Sequence, residues 1–98
     1  MLEDIFKEIK PVQEGNFSYY EIGKIFDVSI NTIDRNTEIA PHNHDQDVHN
    51  YVFYGQLTVI THEGERVLRK GDWWFIPAGK RHSVKITEPV CLLELWKK

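Results

Sequence analysis

Short runs of apolar residues alternate with polar ones along most of the chain from about residue 17 onward. The runs are rich in β-branched and aromatic residues, which favour strands over helices. Gly, Pro and Asn interrupt them roughly every eight to twelve residues, a spacing typical of a β-sandwich or β-barrel. The pattern predicts strands over residues 19–22, 27–35, 50–54, 57–61, 66–69, 73–76, 82–86 and 90–96.

The N-terminal segment follows a different pattern. Leu2, Ile5, Phe6 and Ile9 recur at the spacing of one helix face. Pro11 has no backbone N–H and a fixed φ, so a helix should end before it. We therefore predict a short amphipathic helix at the N-terminus and no other helix, which makes the fold class all-β apart from this helix.

Glu63 and Gly64 mark the clearest turn in the chain. They fall between the predicted strands 57–61 and 66–69, where a hairpin needs a residue that accepts positive φ. We predict a β-hairpin here. His62 stands beside this turn and is expected to face solvent.

Size and composition are those of one small globular domain. A chain of 98 residues leaves no room for a second domain. Its hydrophobic fraction of 41% and aromatic fraction of 12% suffice for a packed core. The net charge of −3 is spread along the chain rather than clustered, so neither nucleic acid nor a membrane surface is expected as a partner.

Two features bear on the compartment. The N-terminal segment contains Asp4, Lys7 and Glu8, so it lacks the uninterrupted apolar core of a signal peptide, and no later run is long enough to span a membrane. Cys91 is the single cysteine and cannot form an internal disulfide. We expect a cytoplasmic protein in which Cys91 is a buried apolar thiol.

The candidate chemistry lies in the histidines. His42 and His44 are separated by one residue, so on an extended segment both imidazoles point to the same face and can bind one ion. Such pairs also arise by chance on surface strands, so the pair alone does not establish a metal site. The glycine and proline positions around it carry more weight.

Gly71, Pro77, Gly79 and His82 follow one another at fixed spacings. In this order and at these spacings they resemble the second signature motif of the cupin superfamily. The last position of that motif, normally Asn, is Ile86 here. The resemblance implies that a strand, a tight turn and a returning strand bring His82 into the interior of a barrel.

The first cupin motif is matched at Asn36, His42, His44 and Gly55. Asn36 stands in a glycine position, and Asn is the next residue that tolerates a left-handed turn. The glutamate that the family carries within this motif is absent. The resemblance implies that His42, His44 and His82 together hold a metal ion.

This resemblance covers about residues 28–96 and implies one cupin domain over residues 1–98. Motif 1 spans about residues 36–55 and motif 2 about residues 71–86. The implied fold is an antiparallel double-stranded β-helix, also called a jelly roll. A barrel this small gains from burying more surface, and cupins commonly pair through sheet edges, so we expect a homodimer.

The position of the missing glutamate depends on how the motif is counted. Counted from Gly55 it falls on Val48, and counted from His44 it falls on His49. His49 becomes a fourth ligand if a bulge shifts the strand by one residue; otherwise it is a surface or rim histidine. Asn50 lies two residues beyond Val48 and is then expected to line the pocket.

Aromatic residues near the motifs are candidates for the wall of a small pocket. These candidates are Tyr51, Phe53, Trp73, Phe75 and Trp96. Packing in the hydrophobic core explains most of them equally well.

Imidazole ligands favour a divalent transition metal, Zn, Fe, Mn, Ni or Cu, over Mg and Ca, which prefer oxygen. Without the glutamate, three neutral imidazoles leave the charge of the ion uncompensated, so an anionic ligand is favoured. The resemblance implies a metal-dependent enzyme of the dioxygenase, isomerase or decarboxylase type acting on a small molecule. Two alternatives remain open: a non-enzymatic barrel that binds or senses a small ligand, and a metal-free barrel.

Overall fold

A computed structural model describes Ile5, Lys7 and residues 9–98. The predicted N-terminal helix lies mostly outside these described residues. Ile5 and Ile9 are described, and both are buried in an apolar cluster with Phe26 and Leu95.

The described residues form ten β-strands and one short 3-10 helix, Ile22–Lys24. The strands are β1 (Val12–Glu14), β2 (Phe17–Tyr19), β3 (Phe26–Ile33), β4 (Thr37–His42), β5 (Val48–Tyr54), β6 (Gln56–Thr61), β7 (Gly64–Arg69), β8 (Trp73–Ile76), β9 (His82–Ile86) and β10 (Val90–Lys97). No helix among the described residues is long and apolar enough to cross a membrane.

Two four-stranded antiparallel sheets form the body of the domain, and β1 and β2 form a separate hairpin. The first sheet has the order β3-β10-β5-β8, and the second has the order β4-β9-β6-β7. The main core packs side chains of both sheets together: Val52, Leu57, Val59, Leu68, Val84, Ile86, Val90 and Leu92. This architecture confirms the predicted all-β fold, an antiparallel double-stranded β-helix.

The predicted hairpin between β6 and β7 is confirmed. Thr61 pairs with Gly64, so the two-residue loop is His62-Glu63, one position earlier than the sequence indicates. Gly64 has φ 123°, the positive value expected at this turn. Asn36 also has a positive φ, 61°, which fits its place in a glycine position of motif 1.

One strand prediction was wrong, and one strand of the two main sheets was not predicted. The strand predicted at 19–22 is instead the end of β2 followed by the 3-10 helix. The β1–β2 hairpin turns at Gly15, whose φ is 58°. Strand β4 was not predicted, because Pro41 lies inside it and proline argues against a regular strand.

The inner face of the first sheet decides which side chains reach the space between the sheets. On β10, alternate residues Leu92, Glu94 and Trp96 share this face. Their register partners on β5 are Val52, Asn50 and Val48. The sheet therefore presents an apolar pair, a polar pair and a second apolar pair in succession along these two strands.

Candidate metal centre and its cavity

Three imidazoles converge between the sheets. His42 ends β4, His82 begins β9, and the two are register partners whose ring centroids lie 4.3 Å apart. The ring of His44 lies 4.6 Å from that of His42 and 5.1 Å from that of His82. One possible ligand atom from each of the three lies within 4.8 Å of the others.

A bulge in β4 explains why His42 faces inward. Ile39 and His42 both line the cavity although they are an odd number of residues apart, which a regular strand would place on opposite faces. The register of β4 on β9 shifts between these two residues. The extra residue in this bulge turns the side chain of His42 toward the cavity. Pro41 lies in the bulge, where its missing backbone N–H costs no hydrogen bond between the strands.

His44 follows β4 in an irregular segment that motif 2 holds in place. The backbone N–H of Gly79 donates to the carbonyl oxygen of His44 at 2.7 Å. The N–H of Ala78 donates to Oδ1 of Asp47 at 2.8 Å. These two hydrogen bonds connect the turn before His82 to the loop that carries His44. The position of His44 relative to His82 therefore depends on contacts between the two motifs.

Hydrogen bonds leave the Nε2 atoms of two histidines available for a ligand bond. Nδ1 of His42 lies 2.8 Å from the carbonyl oxygen of Ala40, and Nδ1 of His82 lies 2.9 Å from that of Lys80. A carbonyl oxygen can only accept, so each Nδ1 carries the proton and each Nε2 keeps its lone pair.

The donor set fits a transition-metal ion. Nε2 of His42 and Nε2 of His44 are 3.1 Å apart, close enough for both to bind one ion at the usual distance of about 2.1 Å. Metal-bound histidines characteristically donate their second N–H to a carbonyl, as His42 and His82 do here.

The electrostatics favour the neutral form of His44 and His82. Burial lowers the pKa of His44 below its ordinary value of 6.5, and the neighbouring His42 and His82 lower it further. Burial is also the main cause that lowers the pKa of His82, against an opposing hydrogen bond to the carbonyl of Lys80. Neutral imidazole is the form that binds metal.

This lowering predicts the pH dependence of metal binding. Since the pKa values of His44 and His82 are lowered, protons should compete with the ion for these two ligands at a lower pH than for ordinary histidines. We expect the affinity for Zn²⁺, measured by competition with a chromophoric chelator, to change little from about pH 7.5 to 6.5 compared with its fall at lower pH. A tenfold fall per pH unit already between pH 7.5 and 6.5 would contradict this prediction.

The histidines open onto a cavity of about 320 Å³ between the sheets. Most of its wall is apolar, and Asn31, Asn50 and Glu94 are polar exceptions. The apolar lining residues are Ile33, Ile39, Val48, Leu57, Leu68, Trp74, Ile76, Val84, Leu92 and Trp96. Such a cavity suits a small molecule with an apolar body and few polar groups.

Two tryptophans in this wall contact the histidines. The ring of Trp96 meets that of His44 edge to face, with centroids 4.7 Å apart. Trp74 meets His82 in the same way at 5.8 Å. These contacts restrict the orientation of both imidazoles and make tryptophan fluorescence a natural reporter of the cavity.

The structure divides the residues predicted to form the site between the two faces of the first sheet. Asn50 lines the cavity with His42, His44 and His82, and so does Trp96. The residues on the opposite face of the sheet, away from the cavity, are His49, Tyr51, Phe53, Trp73 and Phe75. The cause is the two-residue period of a strand: with Asn50 facing inward, positions 49, 51 and 53 face outward.

His49 illustrates this division. The pairing of β5 with β8 is regular at His49, without the bulge that would turn its side chain inward. Its ring packs instead against Phe26 and Phe75, with centroids 5.7 and 4.7 Å away. Strand β5 thus separates His49 from the other three histidines.

Glu94 and Asn31 are cavity residues that were not predicted from the sequence. Asn31 Nδ2 donates to Oε1 of Glu94, and both residues line the cavity. A signal was present, because Glu94 alternates with Leu92 and Trp96 on the buried face of an otherwise apolar strand. A carboxylate at such a position indicates a functional or buried polar contact.

Solved structures with the same fold include proteins of several activities. Similar chains come from a crystallographic study of the DMSP lyases RdDddP and RnDddQII (TM-score 0.69, 20% identity, 74% of this chain and 38% of that one) and from KdgF of Halomonas sp. (0.68, 23%, 90% and 74%). A third is the G106A mutant of salicylate 1,2-dioxygenase from Pseudoaminobacter salicylatoxidans in complex with gentisate (0.69, 20%, 74% and 20%).

These identities show a common fold and no more. The chain spans 38% of the DMSP lyase chain and 20% of the dioxygenase chain. No curated protein sequence matches it significantly. The model of the Cupin_2 family, described as a cupin domain, matches residues 29–96, which include all three converging histidines. The chain therefore belongs to the Cupin_2 family of cupin domains.

Proposed function

We propose that the protein is a metal-dependent enzyme that acts on a small organic anion. The observation that carries this proposal is the convergence of His42, His44 and His82 at a cavity whose wall is mostly apolar. The cluster contains no carboxylate, so a divalent ion held there keeps its full charge and attracts an anionic group.

Different residues of the chain have different roles in the proposed enzyme. The three imidazoles hold the ion, whose identity is Zn, Fe, Mn, Ni or Cu and which supplies Lewis-acid or redox chemistry when bound. Trp96 and Trp74 keep His44 and His82 in orientation. The apolar wall excludes water and holds the body of the substrate against the histidines.

The structural neighbours support the substrate class but not one reaction. One neighbour holds gentisate, a small aromatic carboxylate, and another comes from a study of lyases. A shared fold hosts many chemistries, so the reaction has to be found by experiment.

The proposal is tested by loading the protein with each of the five ions and assaying small carboxylates, phenols, diketones and thiols. Oxygen uptake and product formation are the readouts. Turnover that depends on the ion and disappears in His82→Ala supports the enzyme. Uptake of both ion and ligand without any turnover would point to a binding module instead, and equal turnover in His82→Ala would refute the proposed site.

We also propose that the protein forms a homodimer through the outer face of its first sheet. Val28, Ile30, Phe53 and Phe75 lie on this face and remain 46%, 65%, 39% and 40% exposed. Register partners connect Val28 and Phe75 into one row across the sheet. Leu95 and His49 are buried between them, and the exposed apolar side chains on either side of this buried pair favour association with a second copy.

Ile30→Lys is expected to dissociate this dimer. Its side chain is largely exposed in the single chain, so a lysine there should leave the fold intact, while burying its charge in the interface should weaken association at least about tenfold. Light scattering at micromolar concentration measures the outcome. Val67→Lys, an equally simple change on strand β7 of the other sheet, is the control. A monomeric wild-type protein would refute the dimer.

A further inference from the structure

A polar pair interrupts the apolar wall of the cavity. Glu94 on β10 and Asn50 on β5 are register partners and both line the cavity. Side chains of directly opposite residues on one face have Cβ atoms about 5 Å apart. A single small group of a ligand can therefore contact both.

The side chain of Asn50 has no hydrogen-bond partner among the described residues. The residue is only 5% exposed, yet its side-chain amide has no hydrogen bond to any described residue. Every fully sealed polar side-chain atom of the described residues does have a partner, so the amide of Asn50 is open to the cavity rather than sealed. A ligand that fills the cavity would displace solvent from this amide, and a polar group of that ligand would then have to satisfy it.

Glu94 is held so that one of its oxygens is left for the cavity. Asn31 Nδ2 donates to Oε1 of Glu94 and also lies 3.1 Å from Oγ of Ser29. No other described residue hydrogen-bonds to the carboxyl group of Glu94. Burial raises the pKa of Glu94, and the hydrogen bond from Asn31 opposes this shift.

The polar pair lies one step away from the histidines. Trp96 contacts His44 and is the next residue after Glu94 on the same face of β10. Two residues along a strand span about 7 Å. A ligand whose acidic group faces the histidines would therefore reach Glu94 and Asn50 with a group on the far side of a body about one ring in size.

We propose that Glu94 and Asn50 bind a hydroxyl group of the substrate, which makes the substrate class small hydroxylated carboxylic acids. A hydroxyl both donates and accepts, so it can donate to the free oxygen of Glu94 and accept from the amide of Asn50. This inference rests on the proposed function, because the histidine-bound ion is taken to hold the acidic end.

The test uses Zn²⁺-loaded protein and benzoate, 3-hydroxybenzoate and 4-hydroxybenzoate as probes. Quenching of Trp74 and Trp96 fluorescence and calorimetry both report binding. At least one of the hydroxylated acids should bind about tenfold more tightly than benzoate, because it gains hydrogen bonds to Glu94 and Asn50.

Glu94→Gln should abolish this preference. Asn31 would hold the oxygen of the introduced amide, so its NH₂ group would face the cavity and the acceptor would become a donor. We expect the preference for the hydroxylated acid to fall to about twofold or less, with methoxybenzoate of the same ring position gaining relative to it. Glu88→Gln, at an exposed position, is the matched control and should keep the preference.

The outcomes separate this inference from the proposed function. Failure of the wild type to bind Zn²⁺ would overturn both. Bound Zn²⁺ with equal affinity for benzoate and the hydroxylated acids, or with no affinity for any of them, would overturn the inference and leave the metal site. Asn50→Val provides a second variant should Glu94→Gln not fold, and an unchanged preference in Asn50→Val would equally overturn it.

Discussion

His82→Ala is expected to weaken Zn²⁺ binding by at least about 100-fold, because loss of residues that merely orient a metal ligand already costs about 10- to 100-fold. His82 is 3% exposed and its ring lies within 5.1 Å of both other rings, so no solvent-facing side chain can take its position. The dissociation constant is measured by isothermal titration at pH 7.

The control for this variant is His62→Ala. His62 is an exposed histidine in the β6–β7 loop, outside the cluster. It should leave the affinity unchanged within about twofold, since exposed positions away from a site contribute little. Wild-type affinity in His82→Ala would mean that the ion binds elsewhere, and an equal loss in His62→Ala would mean that binding is not specific to the cluster.

Gly55→Ala is expected to destabilise the fold by about 4 kcal/mol, at the upper end of single-substitution effects. Gly55 has φ 84°, and a Cβ atom there would lie 2.1 Å from the carbonyl oxygen of Pro89 and 2.7 Å from Cα of Val90. These contacts are backbone atoms that cannot swing aside. The free energy of unfolding is measured by urea denaturation of the metal-free protein.

Gly71→Ala separates the two causes of this effect. Gly71 has a similar φ of 90°, but a Cβ atom added there would meet no atom within 4 Å beyond its chain neighbours. The substitution therefore costs only the strain of an alanine at positive φ, about 1–2 kcal/mol of unfolding free energy. Equal destabilisation by the two substitutions would show that close packing against the β9–β10 connection contributes nothing at Gly55.

The fold was predictable because its signals are local. Strands β5 to β10 follow from alternation and turn residues, and the positions Gly71, Pro77 and Gly79 carry the strand–turn–strand unit that ends at His82. Strand β4 was hidden because its bulge and Pro41 break the two-residue period. The alternation of apolar and polar residues does not reveal a residue that a bulge inserts into a strand.

The cavity wall was less predictable because it depends on which face of each strand turns inward. Asn50 and Tyr51 were both predicted to line the pocket, yet adjacent residues of a regular strand cannot both face it. In the structure, Asn50 lines the cavity and Tyr51 does not. The neighbours of Glu94 could not be predicted from the sequence. Asn31 and Asn50 lie on two other strands, and only the pairing of those strands with β10 brings them close to Glu94.

The measurement that tests the central claim most directly is X-ray absorption spectroscopy on untagged protein loaded with one equivalent of Zn²⁺. Binding by His42, His44 and His82 predicts about three imidazole nitrogens at roughly 2.0–2.1 Å and no sulfur scatterer. One imidazole or none, or a sulfur ligand from the buried Cys91, would contradict the assignment of the metal centre.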